Sequence, residues 1–202
     1  MSRADKDPGV DLGGYVLAGG RSSRMGSDKA LLALGGKPLL QRVADAVREA
    51  VGAVVIVGDA ARHSGFGAPV IADEFPGAGP LAGIHVALKH STNDWNLIVA
   101  CDMPGLTAAT LHGLARIRAL FPAADAVLPV AGGREQPLCA IYRRRLLPTI
   151  ESALEHGNLK IMRVLEGARL ARIDFPNQEA FRNINTPEEW RELQERASET
   201  TS

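Results

Sequence analysis

Between residues 15 and 29 the sequence passes from an apolar run, Tyr15-Val16-Leu17-Ala18, straight into Gly19-Gly20-Arg21-Ser22-Ser23-Arg24-Met25-Gly26-Ser27-Asp28-Lys29. Gly19 and Gly20 carry no Cβ, so a ligand can come close to the main chain and φ is free to turn positive. Main-chain N–H groups exposed in such a loop form a concave anion site. Arg21, Arg24 and Lys29 add cations to the same loop. Arginine offers phosphate a bidentate fork, and lysine a compact point charge. A strand feeding a loop of this kind points to a nucleotide's phosphates; the competing reading is a glycine-rich surface loop with solvated charges. Neither of the two commonest phosphate loops is present. Gly26 is followed by Ser27 where G-x-x-x-x-G-K-[ST] needs lysine, and Arg21 stands at the second glycine of G-x-G-x-x-G.

Two carboxylates could work with that loop. Asp102 comes directly after the apolar run Asn96-Leu97-Ile98-Val99-Ala100-Cys101. Burying a carboxylate there is costly without a partner. Mg²⁺ is such a partner, because it takes one or two carboxylates and completes its shell with water and substrate phosphate oxygens. The alternative is an ordinary turn aspartate ahead of Pro104. Asp73 ends the shorter run Pro69-Val70-Ile71-Ala72 and leads to Gly79-Pro80. A turn carboxylate has many structural uses, but a helix starting near Pro80 would turn free N–H groups toward a ligand. The five histidines (His63, His85, His90, His112, His156) share no constellation and read as surface or filling residues. No Ser-His-Asp or Cys-His order stands out. Trp95 and Trp190 read as packing residues.

These residues need a scaffold, and the periodicity supplies one. Leu40, Val43, Ala44, Val47 and Val51 recur at helical spacing after Pro38, which suits the first turn of a helix ending near Gly52. Residues 53–57 and 96–101 are continuous apolar runs, as expected of strands buried on both faces of a parallel sheet. A helix carries Leu81, Ile84 and Leu88. Thr107 can cap another with Leu111, Leu114, Ile117 and Phe121 inside. Residues 126–130 and 138–142 read as strands joined through a turn at 131–134, residues 146–156 and 159–166 as helices, and 170–175 as a strand. Thr186-Pro187-Glu188-Glu189 is a capping box with proline at the first helical position, opening a helix to about residue 196. The alternation predicts an α/β fold, Rossmann-like, with a mostly parallel central sheet and helices on both faces. Ligands of such sheets bind beyond the carboxyl ends of the strands. The glycine loop, Asp73 and Asp102 then share one edge.

The 202 residues fit one domain over 14–196, between tails at 1–13 and 197–202. Lys plus Arg and Asp plus Glu both number 23, so the formal net charge is zero, against the basic surplus of a general nucleic-acid binder. Cys101 and Cys139 lie far apart in apolar runs, without a C-x-x-C or Cys/His cluster, and read as reduced core residues. No run approaches the roughly 18 apolar residues of a membrane span. The N-terminus lacks the regions of a signal peptide. The expected compartment is the cytoplasm, with no membrane partner.

Leu17-Ala18-Gly19-Gly20, Arg24-Met25-Gly26 and Asp28-Lys29 together resemble the signature of the molybdenum cofactor guanylyltransferase family. Relatives that use CTP or sugar phosphates usually carry alanine at the place of Gly19. Cys101-Asp102-Met103-Pro104 resembles the family's metal-binding segment, with Asp102 at the position of its magnesium ligand. Val70-Ile71-Ala72-Asp73 followed by Gly79-Pro80-Leu81-Ala82-Gly83 resembles a nucleotide-contacting segment. Arg134-Glu135-Gln136-Pro137 and Phe181-Arg182-Asn183-Ile184-Asn185-Thr186-Pro187 resemble loops on the pterin side. The family pattern also carries a nucleotide-contacting asparagine after the second strand, where this chain has Val57-Gly58-Asp59.

The resemblance implies a Mg²⁺-dependent transfer of GMP from GTP to the phosphate of molybdenum-loaded molybdopterin. It implies Lys29, Arg24 and Asp102 in catalysis, with Asp102 on the metal. Leu17, Ala18, Gly19, Gly20, Lys29, Asp73, Gly79, Pro80, Leu81 and Asp102 would hold the nucleotide, and Arg134, Gln136, Asn183 and Asn185 the pterin. Apart from the helix-cap role of Thr186, Asn185 has a competing reading as part of that same cap. The product would go to molybdoenzyme apoproteins or cofactor-delivery proteins. Two alternatives stay open: a CTP- or sugar-phosphate-using nucleotidyltransferase of the same fold, and a non-catalytic molybdopterin carrier.

Overall fold

The structure is a computed structural model that describes residues 11–19, 28–75 and 77–199, the last three as backbone. Its elements in order are β1 (Leu12–Leu17), β2 (Ala33–Leu34), β3 (Lys37–Pro38), α1 (Leu39–Val51), β4 (Val55–Val57), α2 (Ala60–His63), β5 (Val70–Ile71), α3 (Pro80–His90), β6 (Trp95–Ala100), α4 (Ala108–Arg118), β7 (Ala126–Ala131), β8 (Arg134–Glu135), β9 (Cys139–Arg143), α5 (Leu147–Glu155), α6 (Ile161–Val164), β10 (Leu170–Asp174) and α7 (Pro187–Glu199).

Among the described residues the central sheet runs β10-β7-β9-β6-β1-β4-β5, with β8 paired to β7. β1 lies parallel to β4 and β6, β4 parallel to β5, and β7 parallel to β10. Only β9 and β8 run the other way, β9 against both β6 and β7. β6 is buried at all six positions, which is why its sequence shows no alternation. One face of the sheet packs Val16, Ile56 and Leu97 with Leu40 and Val47 of α1 and Leu111 of α4. The other packs Tyr15, Ile98 and Leu128 with Leu81, Ile84 and Leu88 of α3 and Ile150 of α5. The expected three-layer α/β architecture is what forms, and the carboxyl ends of β1, β4, β5 and β6 open on one edge.

The start of the sheet differs from the expectation. β1 begins at Leu12, ahead of the apolar run read from Tyr15 and inside the segment 1–13 expected as a tail, and Leu12 is only 3% exposed. Its register against β6 pairs Gly13 with Asn96 and Gly14 with Leu97. Two adjacent glycines leave no side-chain signature of a strand, so sequence patterning stops short of them. They are glycines because neighbours press on the main chain. A Cβ at Gly14 would collide with the Ala53 carbonyl oxygen and come within 2.7 Å of Val51 Cγ2 and 2.8 Å of Val47 Cγ1. That empty position is what lets α1 lie close on β1.

Elsewhere the boundaries shift by a few residues, as element ends commonly do. Pro38 sits just before α1 and not inside it, and α1 ends at Gly52 with φ 82°. The predicted helix at 159–166 is reduced to α6, and α7 extends to Glu199. Thr107 caps α4 as expected, its Oγ1 accepting from Thr110 N at 3.2 Å. The Gly14→Ala variant is expected to lose about 1–3 kcal/mol of stability through overpacking of the α1–β1 contact. Urea unfolding of the variant beside the parent chain measures it.

Candidate active site

At the carboxyl edge of the sheet lies a cleft of about 240 Å³. Leu17, Ala18 and Gly19 reach it from β1, Val57 and Gly58 from β4, and Asp73 from the turn after β5. Gly79, Pro80 and Gly83 reach it from the start of α3, and Ala100, Cys101 and Asp102 from β6. Asp28, Lys29 and Ala30 close one side. The cleft thus gathers the glycine loop's first residues with Asp73 and Asp102, because their strands are parallel and end together.

Each strand end is carried a step past the sheet by main-chain bonds. Ala18 N donates to Val57 O at 2.9 Å, Cys101 N to Leu17 O at 3.1 Å, and Gly58 N to Ile71 O at 2.9 Å. Gly19 opens into the cleft, and among the described residues a Cβ there would meet no atom within 4 Å. The described part of the fold therefore does not need glycine at 19. Gly79 does need to be glycine, since it enters α3 at φ 71°, ψ −159°. Gly83 instead serves packing, with a Cβ there falling 3.0 Å from Leu17 Cδ2. Asp73 Oδ1 accepts from Phe75 N at 2.8 Å and so shapes the turn that leads to α3.

Asp102 is the electrostatic centre of the cleft. Its Oδ1 is buried and has no hydrogen-bond partner among the described residues. Burial pushes the carboxyl above its ordinary value, and the Lys29 ammonium pulls it partly back. A buried carboxylate oxygen without a partner, in a polar cleft, has the donor chemistry a hard divalent cation requires. Among the described residues no group of three His, Cys, Asp or Glu side chains converges. Cys101, next in chain, is a buried free thiol pushed up to about 12 by burial, so it is not a thiolate nucleophile.

Lys29 is anchored from the far end of the chain. Its Nζ donates to Ile184 O at 2.9 Å and to Asn185 Oδ1 at 3.1 Å. Ile184 N in turn donates to Asp102 O at 2.9 Å. The capping box forms as read: Thr186 Oγ1 accepts from Glu189 N at 3.2 Å, and Glu189 Oε2 accepts from Thr186 N at 3.1 Å and from Asn185 N at 2.6 Å. The Asn185 side chain takes no part in that cap and turns to Lys29. Asn183 Oδ1 is also buried without a partner among the described residues.

Several expected site residues sit elsewhere. Leu81 is 1% exposed and belongs to the core under α3, because the second position of that helix faces the sheet. Arg134 and Gln136 do not line the cleft; they lie on and after β8, where Gln136 Nε2 donates to Arg134 O at 3.2 Å. Gly20 and Arg24 lie outside the described residues. Two site residues escaped the sequence reading. Asp28 caps the 3₁₀ turn Lys29–Leu31, its Oδ1 accepting from Ala30 N at 3.1 Å. His63, expected at the surface or as filler, is fully buried and bonded to Asp28. The two are 35 positions apart in sequence, and no motif links them.

Residues 14–173 match the family model described as the MobA-like NTP transferase domain. The chain is 37% identical over 184 residues to the molybdenum cofactor guanylyltransferase of Vibrio cholerae, with 89% of each chain covered. It is 35% identical to the corresponding protein of Serratia proteamaculans, covering 89% of this chain and 92% of that one. Among solved structures, molybdopterin-guanine dinucleotide biosynthesis protein A of Archaeoglobus fulgidus is similar at 28% identity and a TM-score of 0.80, covering 93% of this chain and all of that one. The family match takes in the cleft end of every strand that reaches the cleft. This chain therefore belongs to the MobA-like NTP transferases, a family of nucleotidyltransferases.

Proposed function

We propose that this nucleotidyltransferase moves GMP from GTP to the phosphate of molybdenum-carrying molybdopterin, releasing pyrophosphate and leaving the guanine dinucleotide form of the cofactor. The observation that carries the reading is the unpartnered Asp102 Oδ1, buried in the same cleft as the Lys29 ammonium. The relatives' names supply the substrates. An acceptor phosphate oxygen attacks the α-phosphorus, the bond from that phosphorus to the bridging oxygen breaks, and pyrophosphate departs. The acceptor is already anionic, so no protein nucleophile or general base is required.

The protein's share is positioning and charge neutralisation. Lys29 Nζ supplies a point charge for the polyphosphate, held at the cleft wall by Ile184 O and Asn185. The residues fit a divalent cation, Mg²⁺ in this reading, at Asp102; when bound, the ion offsets negative charge on the phosphates. α3 begins at Pro80 on the cleft wall, so the positive end of its dipole faces the same space. Gly19 leaves room for a purine beside the end of β1. Arg24, in the glycine loop, joins Lys29 on the phosphates. Asn183 and Asn185 face the acceptor, where an amide can pair with the amino and carbonyl edge of a pterin; Arg134 and Gln136 belong to the outer wall of that side. Among the described residues no helix is long and apolar enough to cross a membrane. The proposed setting is the cytoplasm, with delivery to molybdoenzyme apoproteins or their cofactor-delivery proteins.

The first test is pyrophosphate release with Mg²⁺ and molybdate-loaded molybdopterin in the presence of GTP, CTP, ATP or UTP. Release with GTP alone is expected. Release with CTP would overturn the base assignment, and no release alongside measurable pterin binding would favour a carrier. Gly19→Ala meets no atom of the described residues, so its Tm should match the parent while KM for GTP rises; an unchanged KM would remove the purine from that position.

Asp102→Asn carries two opposite expectations. Turnover should fall by about 100-fold or more. Stability of the ligand-free protein should rise, because a carboxyl whose pKa is raised on folding makes the native state bind more protons than the unfolded chain. The parent chain then loses stability as pH climbs from its ordinary value of 3.8 through the raised one. The variant's advantage in Tm should be absent at low pH and full at neutral pH. A thermal-unfolding series across pH reads it.

A further inference from the structure

His63 ends α2 on the surface side of the sheet edge, yet its side chain is fully buried. The ring packs on the main chain of Gly58, where a Cβ would fall 2.5 Å from Nδ1. Nδ1 accepts the main-chain N–H of Asp59 at 3.1 Å. An imidazole that accepts at Nδ1 carries its proton on Nε2 in the neutral form. Nε2 lies 3.2 Å from Asp28 Oδ2 and donates to it. The other oxygen of the same carboxylate, Oδ1, holds the N–H of Ala30 and so caps the turn that carries Lys29. Asp28 thus joins two things with its two oxygens: the turn that aims Lys29, and a post built from the β4–α2 segment.

A second donor reaches Asp28 from that post. Arg62 Nη1 lies 2.9 Å from Oδ2, and its Nε 3.0 Å from Asp59 Oδ2. The Arg62 side chain is 53% exposed, whereas Asp28 is 14% exposed and His63 not at all. An exposed ion pair is screened and worth little. A buried, directional hydrogen bond to a carboxylate is among the stronger ones. The fixing of Asp28 therefore falls mainly to His63.

We infer that His63 is a positioning residue for Lys29: its neutral imidazole, acting through Asp28, holds the 3₁₀ turn that presents the Lys29 ammonium to the nucleotide's phosphates. This rests on the reading above for the ligand, but the coupling of His63 to Lys29 stands on the geometry alone. The imidazole touches no substrate.

The test compares His63→Leu, His63→Gln and Asp28→Asn. Leucine fills the space and removes the donor. The glutamine amide nitrogen can take the place of Nε2 and donate to Asp28. Asparagine at 28 can still cap Ala30 but offers His63 an N–H in place of an acceptor. His63→Leu and Asp28→Asn should lower kcat/KM for the nucleotide by about 10- to 100-fold, the scale of a small misplacement, and His63→Gln should recover most of it. In a Lys29→Ala background, His63→Leu should cost nothing further.

An equal cost in that background, or a glutamine variant no better than leucine at equal Tm, would overturn the inference and leave His63 a packing residue. A readout free of turnover is the rate at which acetic anhydride acetylates Lys29 in the nucleotide-free protein, followed by mass spectrometry. It should rise in His63→Leu and Asp28→Asn and stay at the parent value in His63→Gln. An unchanged rate in both of the first two would also overturn it. Should the parent chain release no pyrophosphate with any nucleotide, the proposed function fails, while the acetylation rates still decide the coupling.

Discussion

The peptide unit of Ile184 ties the two ends of the chain into one site. Its N–H bonds to Asp102 O and its carbonyl to Lys29 Nζ, so a single residue near the C-terminus spans the end of β6 and the lysine after the glycine loop. Ile184 can do this because its side chain is buried with Leu34, Leu39 and Trp190, where α7 docks on the start of α1. A main-chain bridge seated on an apolar cluster is rigid, since the apolar contacts fix the backbone that makes the polar ones. Catalysis by positioning depends on such rigidity more than on any reactive side chain.

Around that bridge the cleft keeps a carboxylate in an unfavourable state. Asp102 has one oxygen buried and unbonded, and burial raises its proton affinity. The charge of Lys29 relieves the cost only in part, because the effect of burial is the larger. In the proposed reading a cation and the phosphates complete the arrangement, and their binding offsets that cost. The neighbouring Cys101 and the deep position of Leu81 are consequences of the same packing, not parts of the chemistry.

The glycines divide along similar lines. Gly14 and Gly83 are small because α1 and Leu17 press on them, and Gly79 is glycine because its backbone conformation requires it. Gly19 alone of these has neither a described neighbour within 4 Å of its Cβ position nor a positive φ. That distinction separates glycines whose packing or backbone requires them from one whose described surroundings do not. It is invisible in a sequence, where all four are the same letter.

Much of this protein is legible without a structure. Apolar runs at 53–57 and 96–101, helical spacing through 40–51 and the Thr186–Glu189 capping box mark elements whose forces are local, and a parallel sheet then puts the glycine loop, Asp73 and Asp102 on one edge. Local forces leave their trace in neighbouring residues, so periodicity and caps can be read directly. The start of β1 could not be read, because Gly13 and Gly14 record the pressure of α1 and Asn96 from elsewhere in the chain. Nor could the roles of Ile184, Asn185, Asp28 and His63, which meet Lys29 or its turn across sequence separations that only the folded chain closes. The residue types and edge of the site were thus determined by sequence. Which side chains hold the lysine, and which merely fill the core, was decided by tertiary structure, because hydrogen-bond partners depend on distance in space.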